Sequence, residues 1–506
     1  MTTGRRACLT VLSLILSLLS LPGGPLPQLV LVSLVPLGLA IHGASPLEAC
    51  AFCYLCALGG WLGSTNGIVV ALSAYLHLSR AQAICVLLVL CAYSSLPYGV
   101  FGLFYGAGQW MNGKVGAVKT AACLALLISV FPSLFPVDSS HALYCFPVLV
   151  QILSVGGQPL LLFILYFYNW LFVELILCHR NGRSLKLALA SILAITVLIP
   201  AYGYLCLTRS HNEEAHAAFD RRIRIGVIQP NTPLHGDSDP HSGDSLSPFH
   251  ALLEMSDNLL SRDPSVDLVI WPETPTRISC NDDYGTRLEL RAIATQFRVP
   301  FLVNCVRPSP NGGDYNTELF LTPNGHVAAY DKQMLLPFAE YIPAERRFAF
   351  LRSYLPHASR YEPGNQITVF PVRSYFNVFP AVCYEMLFPR YVRRFIEHTG
   401  NVLVSPSNDA WFGPSRIPDF VMAEAVYQAI EYRIPVIRVS NSGNSIAVAA
   451  SGETLPGSRL PAFSRQAAAF GMFVPSGRSL YFRVGDSFLW ILAVAVLLLI
   501  CRGLGK

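Results

Sequence analysis

Three residues in the second half of the chain have side chains that could perform acyl transfer, and each follows a short apolar run. Glu273 follows DLVIWP, Lys332 follows AAYD, and Cys383 follows NVFPAV. A thiolate is a strong nucleophile, a carboxylate can accept its proton, and an ammonium group can stabilise an oxyanion. Together these groups could pass an acyl chain through a thioester.

Each of the three residues also has an ordinary structural explanation. Glu273 could be a solvated or capping carboxylate, Lys332 a surface lysine, and Cys383 an inert core cysteine. Their positions are also compatible with chemistry, because α/β domains place functional groups where strands end. A strand-to-helix turn at Cys383 would expose a nucleophile and direct backbone N–H groups at an oxyanion. Glu340, in the apolar segment LPFAEYIP, needs a buried partner.

The composition indicates that part of the chain lies in a membrane. Hydrophobic residues make up 53% of the 506 residues and charged residues only 13%, against roughly 25% charged residues in soluble domains. The net charge of +5 is spread along the chain, and no block of Lys and Arg is dense enough for a nucleic-acid groove. We therefore expect a membrane part joined to a soluble part, and no nucleic-acid partner.

The 14 cysteines form no recognisable disulfide framework. Most of them lie in apolar runs, and the CxxCxxC spacing of Cys50, Cys53 and Cys56 has no His or Cys partner group after it. A helix would bury these thiols among Leu and Ala, where free Cys behaves as a small hydrophobe. The sequence predicts no metal site, and it does not decide the redox state of Cys280 and Cys305.

Residues 1–208 form a predicted membrane domain of about seven transmembrane helices. A bilayer requires about 20 apolar residues per helix. The apolar runs lie at 7–21, 28–42, 48–76, 82–106, 117–135, 144–177 and 185–207. An eighth run, within 487–503, predicts a carboxy-terminal transmembrane helix. The Arg5–Arg6 pair before the first run resembles a signal peptide, but no cleavage site follows, so we expect an uncleaved helix.

The positive charges between the runs alternate from one side to the other. The basic residues before the first run and after the fourth and sixth are Arg5, Arg6, Lys114, Lys119, Arg180, Arg183 and Lys186. The loops after the first, third and fifth runs hold only Arg80. The positive-inside rule then places the amino terminus in the cytoplasm. Seven crossings would deliver residue 208 onwards to the opposite face.

Residues 220–478 have the pattern of a soluble α/β domain. Short β-type runs alternate with helical segments, as in layered α/β domains. The predicted strands are 222–229, 267–271, 301–306, 377–383, 401–405 and 436–440, and the predicted helices are 284–297 and 419–432. The stretch 232–248 is rich in Gly, Ser, Asp, His and Pro, which predicts a mobile loop.

The order Glu, Lys, Cys, with each residue beside a strand-like run, resembles the carbon–nitrogen hydrolase (nitrilase) superfamily. Within it, the chain most closely resembles the apolipoprotein N-acyltransferases. The matching motifs are WPE at 271–273, YDK at 330–332, PFAEYIP at 337–343, CYE at 383–385, NDAWFG at 408–413, AIE at 429–431 and SNSG at 440–443. The resemblance implies an α-helical multi-span membrane domain plus an α/β nitrilase-like α-β-β-α sandwich domain.

The resemblance also implies a reaction in lipoprotein maturation. The enzyme would take an acyl chain from a phospholipid such as phosphatidylethanolamine and transfer it to the amino-terminal amine of a diacylglyceryl-cysteine lipoprotein. Cys383 matches the family's nucleophile, Glu273 its general base and Lys332 its transition-state stabiliser. The positions that match supporting or substrate-binding residues are Glu340, Tyr384 and Glu385. No cofactor is implied, and the expected location is the bacterial inner membrane, with the catalytic domain on the periplasmic side.

Two segments depart from the family pattern. The loop after 229–233 reads LHGD, where the family has a lipid-contacting Trp, and the segment DFVM at 419–422 lacks a common Gln-His pair. The resemblance therefore leaves the lipid contacts and the acyl preference undetermined.

Two other functions are compatible with parts of the sequence. A membrane-tethered amidase or nitrilase would use the same three residues with water as the acceptor, although a soluble amide would not require a membrane domain. A non-catalytic membrane scaffold or transporter is the second alternative. Transport pathways usually contain ionisable groups within the spans, and here Glu174 is the main one, with Glu48 at a span edge.

Overall fold

The computed structural model describes residues 1–108, 116–181, 184–233, 248–273, 280, 284–345 and 347–504. Helices form the amino-terminal part and the carboxyl end, and the strands of the described residues lie between Arg222 and Phe473. Most of the predicted mobile loop, residues 234–247, lies outside the described part of the chain.

The amino-terminal part is built from apolar helices. They are α1 (Thr3–Ser20), α2 (Val35–Ile41), α3 (Pro46–Ser64), α4 (Gly67–Leu76), α5 (Arg80–Ser94), α6 (Leu96–Ala107), α7 (Gly116–Val130), α8 (Pro147–Val150), α9 (Leu153–Arg180) and α10 (Lys186–Ala215). Five helical stretches within the described ranges are long and apolar enough to cross a membrane: Thr3–Ser20, Pro46–Ser64, Arg80–Ala107, Leu153–His179 and Lys186–Ala215. The count of seven crossings before the soluble domain stays a prediction.

Four of the predicted runs are divided between helical elements: 28–42, 48–76, 82–106 and 144–177. The run 48–76 forms two helices, because the hydroxyls of Ser64 and Thr65 donate to the carbonyl of Trp61 at 3.1 and 2.6 Å and α3 ends there. Hydroxyl-to-backbone bonds of this kind compete with regular helical bonds. The run 144–177 begins with a 3-10 turn and the short α8, and its long helix α9 starts only at Leu153.

The soluble part contains eleven described strands in two sheets. They are β1 (Arg222–Gln229), β2 (Leu268–Ile270), β3 (Phe301–Pro308), β4 (Asp314–Leu321), β5 (Val327–Asp331), β6 (Phe370–Arg373), β7 (Phe376–Pro380), β8 (Val402–Ser407), β9 (Val436–Ser440), β10 (Ile446–Val448) and β11 (Gln466–Phe473). One sheet has the order β11-β1-β2-β3-β4-β5 and the other β10-β9-β8-β7-β6. Parallel pairing joins β1–β2–β3 and β7–β8–β9.

Seven helices follow the first strand in the described residues. They are α11 (Pro248–Arg262), α12 (Tyr284–Phe297), α13 (Leu351–Tyr354), α14 (Pro389–Glu397), α15 (Ile417–Tyr432), α16 (Leu480–Val484) and α17 (Ser487–Leu504). The last of them matches the predicted carboxy-terminal apolar helix.

The two sheets pack face to face and are covered by helices. Along β1, Ile225 and Val227 point into the core shared by both sheets, while Ile228 points to the opposite face, as the two-residue period of a strand requires. Helices α11 and α12 cover that outer face, and α14 and α15 pack on the second sheet. The rings of Phe320 and Phe370 stack between the sheets at 5.2 Å. The soluble part is therefore the expected α-β-β-α sandwich.

The predicted elements are confirmed at β1, β9 and α12, whose bounds agree with the pattern. The predicted strand 377–383 is too long, because β7 ends at Pro380 and Cys383 begins a 3-10 turn that ends at Leu387. The sequence left the redox state of Cys280 and Cys305 open, and the structure joins them in a disulfide, with Cα atoms 5.8 Å apart.

Glycines bring α3 and α6 of the amino-terminal part into close contact. A Cβ at Gly102 would collide with the carbonyl of Ala49, and one at Gly106 would lie 2.6 Å from Cα of Pro46. Small residues at such positions let helix backbones approach each other in membranes. Larger side chains there must separate the two helices.

Gly102→Val should lower the midpoint of thermal unfolding in detergent, because its methyl groups would meet the α3 backbone. Overpacking of this kind typically costs about 1–3 kcal/mol. Gly60→Val is the matched control, since a Cβ at Gly60 has no atom within 4 Å. Equal melting midpoints for the two variants would contradict this packing.

Candidate active site

The three reactive residues all follow strands of the sandwich. Glu273 comes three residues after the end of β2, Lys332 directly after β5, and Cys383 opens the turn that follows β7. The charges of Glu273, Lys332, Asp409 and Glu340 all act on the pKa of the Cys383 thiol, and Lys332 joins Glu273 and Glu340 directly in one buried cluster. The fold thus brings together residues that are as much as 110 positions apart in the sequence.

Lys332 is the centre of this cluster. Its side chain is buried, with 1% of the residue exposed, and its Nζ donates to Oε1 of Glu273 at 3.2 Å and to Oε1 of Glu340 at 2.8 Å. Burial alone would lower the pKa of Lys332, but the two carboxylates outweigh it and hold the pKa well above its ordinary value. The charged form of Lys332 is therefore favoured, and the alternative that Lys332 is an ordinary surface lysine is excluded by its burial.

Glu340 is fixed by a tight turn in the segment after Lys332. Its Oε2 accepts the N–H of Leu336 at 2.7 Å, and its own N–H donates to the carbonyl of Leu336 at 3.0 Å. Phe338 has a positive φ of 68° within this turn, and its side chain is 43% exposed. The expected buried partner of Glu340 is the Lys332 ammonium.

Asn316 on β4 is a site residue that sequence reasoning missed. Its Nδ2 donates to Oε1 of Glu273 at 2.8 Å and, more weakly, to Oε1 of Glu340 at 3.4 Å. Its Oδ1 accepts from Asn304 of β3 at 2.8 Å, which fixes the orientation of the amide. The available signal was the alternation of polar residues in DYNTELFL, which places Asn316 and Glu318 on one face of a strand.

Glu318 lies behind Asn316 and is fully buried. Its Oε2 accepts from Nδ2 of Asn304 at 3.3 Å. Burial, and to a lesser extent the charge of Glu273, raises the pKa of Glu318 well above its ordinary value. Burial therefore favours the neutral acid at this position, which limits the negative charge beside Glu273.

The turn that carries Cys383 has a strained backbone. Cys383 has φ +53°, in the left-handed region that residues with a Cβ rarely adopt. The Glu385 carboxylate accepts the N–H of Val382 at 2.7 Å and so closes the turn from within. Strain of this kind persists where surrounding contacts over-determine the conformation.

Glu385 also links this turn to the strand that carries Lys332. Its Oε1 accepts the N–H groups of Gln333 at 2.7 Å and Met334 at 3.0 Å, and the hydroxyl of Tyr330 donates to both of its oxygens at 2.7 and 2.8 Å. Burial raises the pKa of Glu385, although Lys332 and the N–H groups oppose the rise. The two sheets are joined at this carboxylate.

The Cys383 thiol is protonated in the resting site. Burial first, and then the negative charge of Glu273, raises the pKa of the thiol well above its ordinary value, while Lys332 acts in the opposite direction. Direct ionisation at neutral pH is therefore unfavourable. A thiol in this state would act as a nucleophile only with a base that accepts its proton.

Tyr384 lies against the amino-terminal helical part. Its hydroxyl donates to the carbonyl of Leu134, and its ring makes an edge contact with Phe135 at 6.1 Å between ring centroids. The next motif along the chain, NDAWFG, supplies Asp409, which forms a buried ion pair with Arg438. No group of three or more His, Cys, Asp or Glu side chains in the described ranges could hold a metal ion.

The comparisons with known proteins agree with this geometry. The carbon-nitrogen hydrolase family matches residues 224–466. The chain is 24% identical over 502 residues to an apolipoprotein N-acyltransferase of Geobacter metallireducens, and the match covers 95% of this chain and 92% of the relative. It is 26% identical to a relative of the same name from Thermotoga maritima, and that match covers 96% of this chain and 91% of the relative. Residues 224–466 are therefore a carbon–nitrogen hydrolase domain, in a chain that resembles the apolipoprotein N-acyltransferases along nearly its whole length.

Proposed function

We propose that this chain is a bacterial membrane acyltransferase that N-acylates lipoproteins through a thioester on Cys383. The observation that carries the proposal is the buried Lys332 ammonium between Glu273 and Glu340, beside a cysteine in a left-handed turn. The apolar helices and the names of the full-length relatives support the membrane setting and the lipoprotein acceptor.

The first half-reaction loads the enzyme. Glu273 accepts the Sγ proton of Cys383 while the sulfur attacks the ester carbonyl of a membrane phospholipid, of the phosphatidylethanolamine type. Lys332 stabilises the resulting oxyanion. Its ammonium group has three N–H donors, and the carboxylates of Glu273 and Glu340 accept two of them in the described structure, so the third can donate to the oxyanion. The tetrahedral intermediate collapses, Glu273 returns the proton to the leaving alkoxide, and a lysophospholipid departs.

The second half-reaction transfers the acyl chain. The amino-terminal amine of a diacylglyceryl-cysteine attacks the thioester carbon, and Glu273 accepts a proton from the nitrogen. Cys383 leaves as the thiolate and regains that proton from Glu273. An amide replaces a thioester, so the step runs downhill.

We further propose that the catalytic domain lies outside the cytoplasm, in the inner membrane of a bacterium. The charge pattern of the loops supports this orientation. The Cys280–Cys305 disulfide supports it independently, because disulfides persist in oxidising compartments and are rare in the cytosol. The proposed domains are 1–208 and 487–503 in the membrane, with 220–478 as the catalytic domain.

Substitutions at the three reactive residues should separate their roles. Cys383→Ala should abolish formation of the acyl-enzyme, and Cys383→Ser nearly so, because an unactivated hydroxyl is a weaker nucleophile. Glu273→Gln should stop loading while phospholipid still binds. Lys332→Ala should slow loading by about 10²–10³-fold, as expected for loss of an oxyanion stabiliser. Intact-protein mass spectrometry after incubation with phosphatidylethanolamine measures loading, and wild-type turnover in Cys383→Ala would overturn the assignment.

The order of the two half-reactions can be tested directly. A trapped acyl-enzyme should form with phospholipid alone and should clear when a diacylated lipopeptide is added. Loading that required the lipopeptide would indicate a single ternary displacement instead. Clearance by water at the same rate as with the lipopeptide would favour the amidase-type alternative.

Asn316→Leu should slow acyl-enzyme formation, because the two carboxylates lose a shared donor and Glu273 loses its orientation. Misplacement of a catalytic group can cost about 10²-fold in rate. Asn169→Leu is the control, since Asn169 is also fully buried and hydrogen-bonded but lies in α9, where it contacts Val30 and Leu165. Equal loading rates in the two variants would contradict the role of Asn316.

The orientation predicts which introduced cysteines are labelled in intact cells. Asp257→Cys, on the exposed face of α11, should react with an impermeant maleimide, whereas Asn181→Cys, at the end of α9, should react only after lysis. The labelled peptides are identified by mass spectrometry, because other exposed cysteines are present. The reverse pattern would place the catalytic domain in the cytoplasm.

A further inference from the structure

A segment of the membrane half lies against the catalytic domain beside the nucleophile. It comprises residues 131–145, between α7 and α8, and is called the docking segment below. The hydroxyl of Tyr427, on α15, donates to the carbonyl of Ser140, just as Tyr384 donates to Leu134. The docking segment therefore contacts both α15, through Tyr427, and Tyr384, the residue after Cys383.

His141 is the buried charged group of the docking segment. It has no exposed surface, its ring stacks on Tyr427 at 4.9 Å between centroids, and its Nε2 lies 3.0 Å from Oε2 of Glu424 on α15. Burial alone would lower the pKa of His141, but Asp138 and Glu424 outweigh it and raise the pKa to about 10. His141 and Glu424 thus form an ion pair across the boundary of the two halves.

Glu424 is connected through Gln428 to the 3-10 turn at Cys383–Leu387. Its Oε2 also accepts from Nε2 of Gln158 in α9 at 2.8 Å, and its Oε1 accepts from Nε2 of Gln428 at 2.8 Å. Residues four apart lie on the same face of a helix. The same Gln428 nitrogen donates to the carbonyl of Met386 at 3.2 Å. Met386 lies three residues after Cys383, within the same turn.

We propose that Gln428 and Glu424 are positioning residues for Cys383, and that His141 and Gln158 of the membrane half hold them in place. The geometry of the nucleophile then depends on the docking of the two halves. The proposal rests on the assignment of Cys383 as the nucleophile. It explains why a buried ion pair, which is weak support for stability in itself, lies between the membrane helices and the turn.

A purely structural role for these residues makes a different prediction, and the chain contains a suitable control. Gln151, just before α9, is also buried and also joins the two halves, since its Nε2 donates to the carbonyl of Ser451 at 2.7 Å. Ser451 lies in the turn after β10 and is not part of the 3-10 turn at Cys383–Leu387. A structural role predicts equal effects at Gln151 and Gln428.

The experiment compares Gln428→Met with Gln151→Met in the full-length protein in phosphatidylethanolamine-containing nanodiscs. Both variants should lower the melting midpoint by similar amounts. Gln428→Met should slow acyl-enzyme formation by about tenfold or more at saturating phospholipid, because displacement of a reacting atom by about 1 Å can cost 10²-fold. Its KM for phospholipid should stay within about twofold of wild type, and Gln151→Met should keep the wild-type rate.

Alkylation of Cys383 by N-ethylmaleimide, read from the labelled peptide, provides a second measurement that does not require acyl transfer. Its rate should change in Gln428→Met and not in Gln151→Met. If the wild-type chain were alkylated but never loaded by phospholipid, the proposed function would fail while the positioning role was still tested.

A second substitution covers the case in which Gln428→Met does not fold. Glu424→Gln keeps the size of the side chain but removes the charge that pairs with His141, so it should slow loading and alkylation in the same way. The double variant His141→Gln/Glu424→Gln should be loaded no more slowly than the slower of the two single variants, because substitutions at residues in direct contact do not have additive effects. Equal loading rates in the Gln428 and Gln151 variants, or additive effects of His141 and Glu424, would overturn the proposal.

Discussion

The site depends on one buried cation. The Lys332 ammonium is removed from water and held between the carboxylates of Glu273 and Glu340. Removing one partner of a buried charged group is costly, because it leaves the other charge uncompensated. The strand that ends at Lys332, the tight turn that presents Glu340 and the strand that ends before Glu273 must therefore keep their relative positions. Because the buried Lys332 ammonium has no access to water, its need for both partners fixes the relative positions of Glu273 and Glu340.

The same charge balance explains the state of the nucleophile. Burial first, and then the negative charges of Glu273, Asp409 and Glu340, oppose ionisation of Cys383, whereas Lys332 favours it. Burial also raises the pKa of Glu318, which favours its neutral form and limits the negative charge nearby. The raised pKa favours the protonated thiol, because an ionised thiol in a buried site would be costly.

The nucleophile turn is held from two directions. Glu385 joins it to the strand of Lys332, through N–H groups on both sides of the site. Tyr384 and Gln428 join it to elements that contact the membrane half. A left-handed cysteine needs such support, since strained backbone persists only when its surroundings over-determine it. The docking segment of the amino-terminal part therefore contacts this turn directly, through Leu134 and Phe135.

The sequence by itself predicted the class of the protein and three candidate reactive residues. Apolar runs, strand-like periodicity and short motifs are local, so they predicted a membrane part, an α-β-β-α sandwich and Glu273, Lys332 and Cys383. The predicted strands did not include β4, β5, β6, β10 or β11. Half of the residues of DYNTELFL in β4 are polar, and QAAAFGMF in β11 lacks β-branched residues. Asn316 was missed for the same reason.

Only the tertiary structure decided which of these groups meet. The disulfide between Cys280 and Cys305, the Asn316 bridge and the His141–Glu424 contact each join residues from different elements. Hydrogen bonds and ion pairs across elements depend on distances of a few ångströms, and those distances are set when two sheets and two halves pack. The spacing of residues along the chain carries no information about such distances, because packing, not sequence separation, determines them.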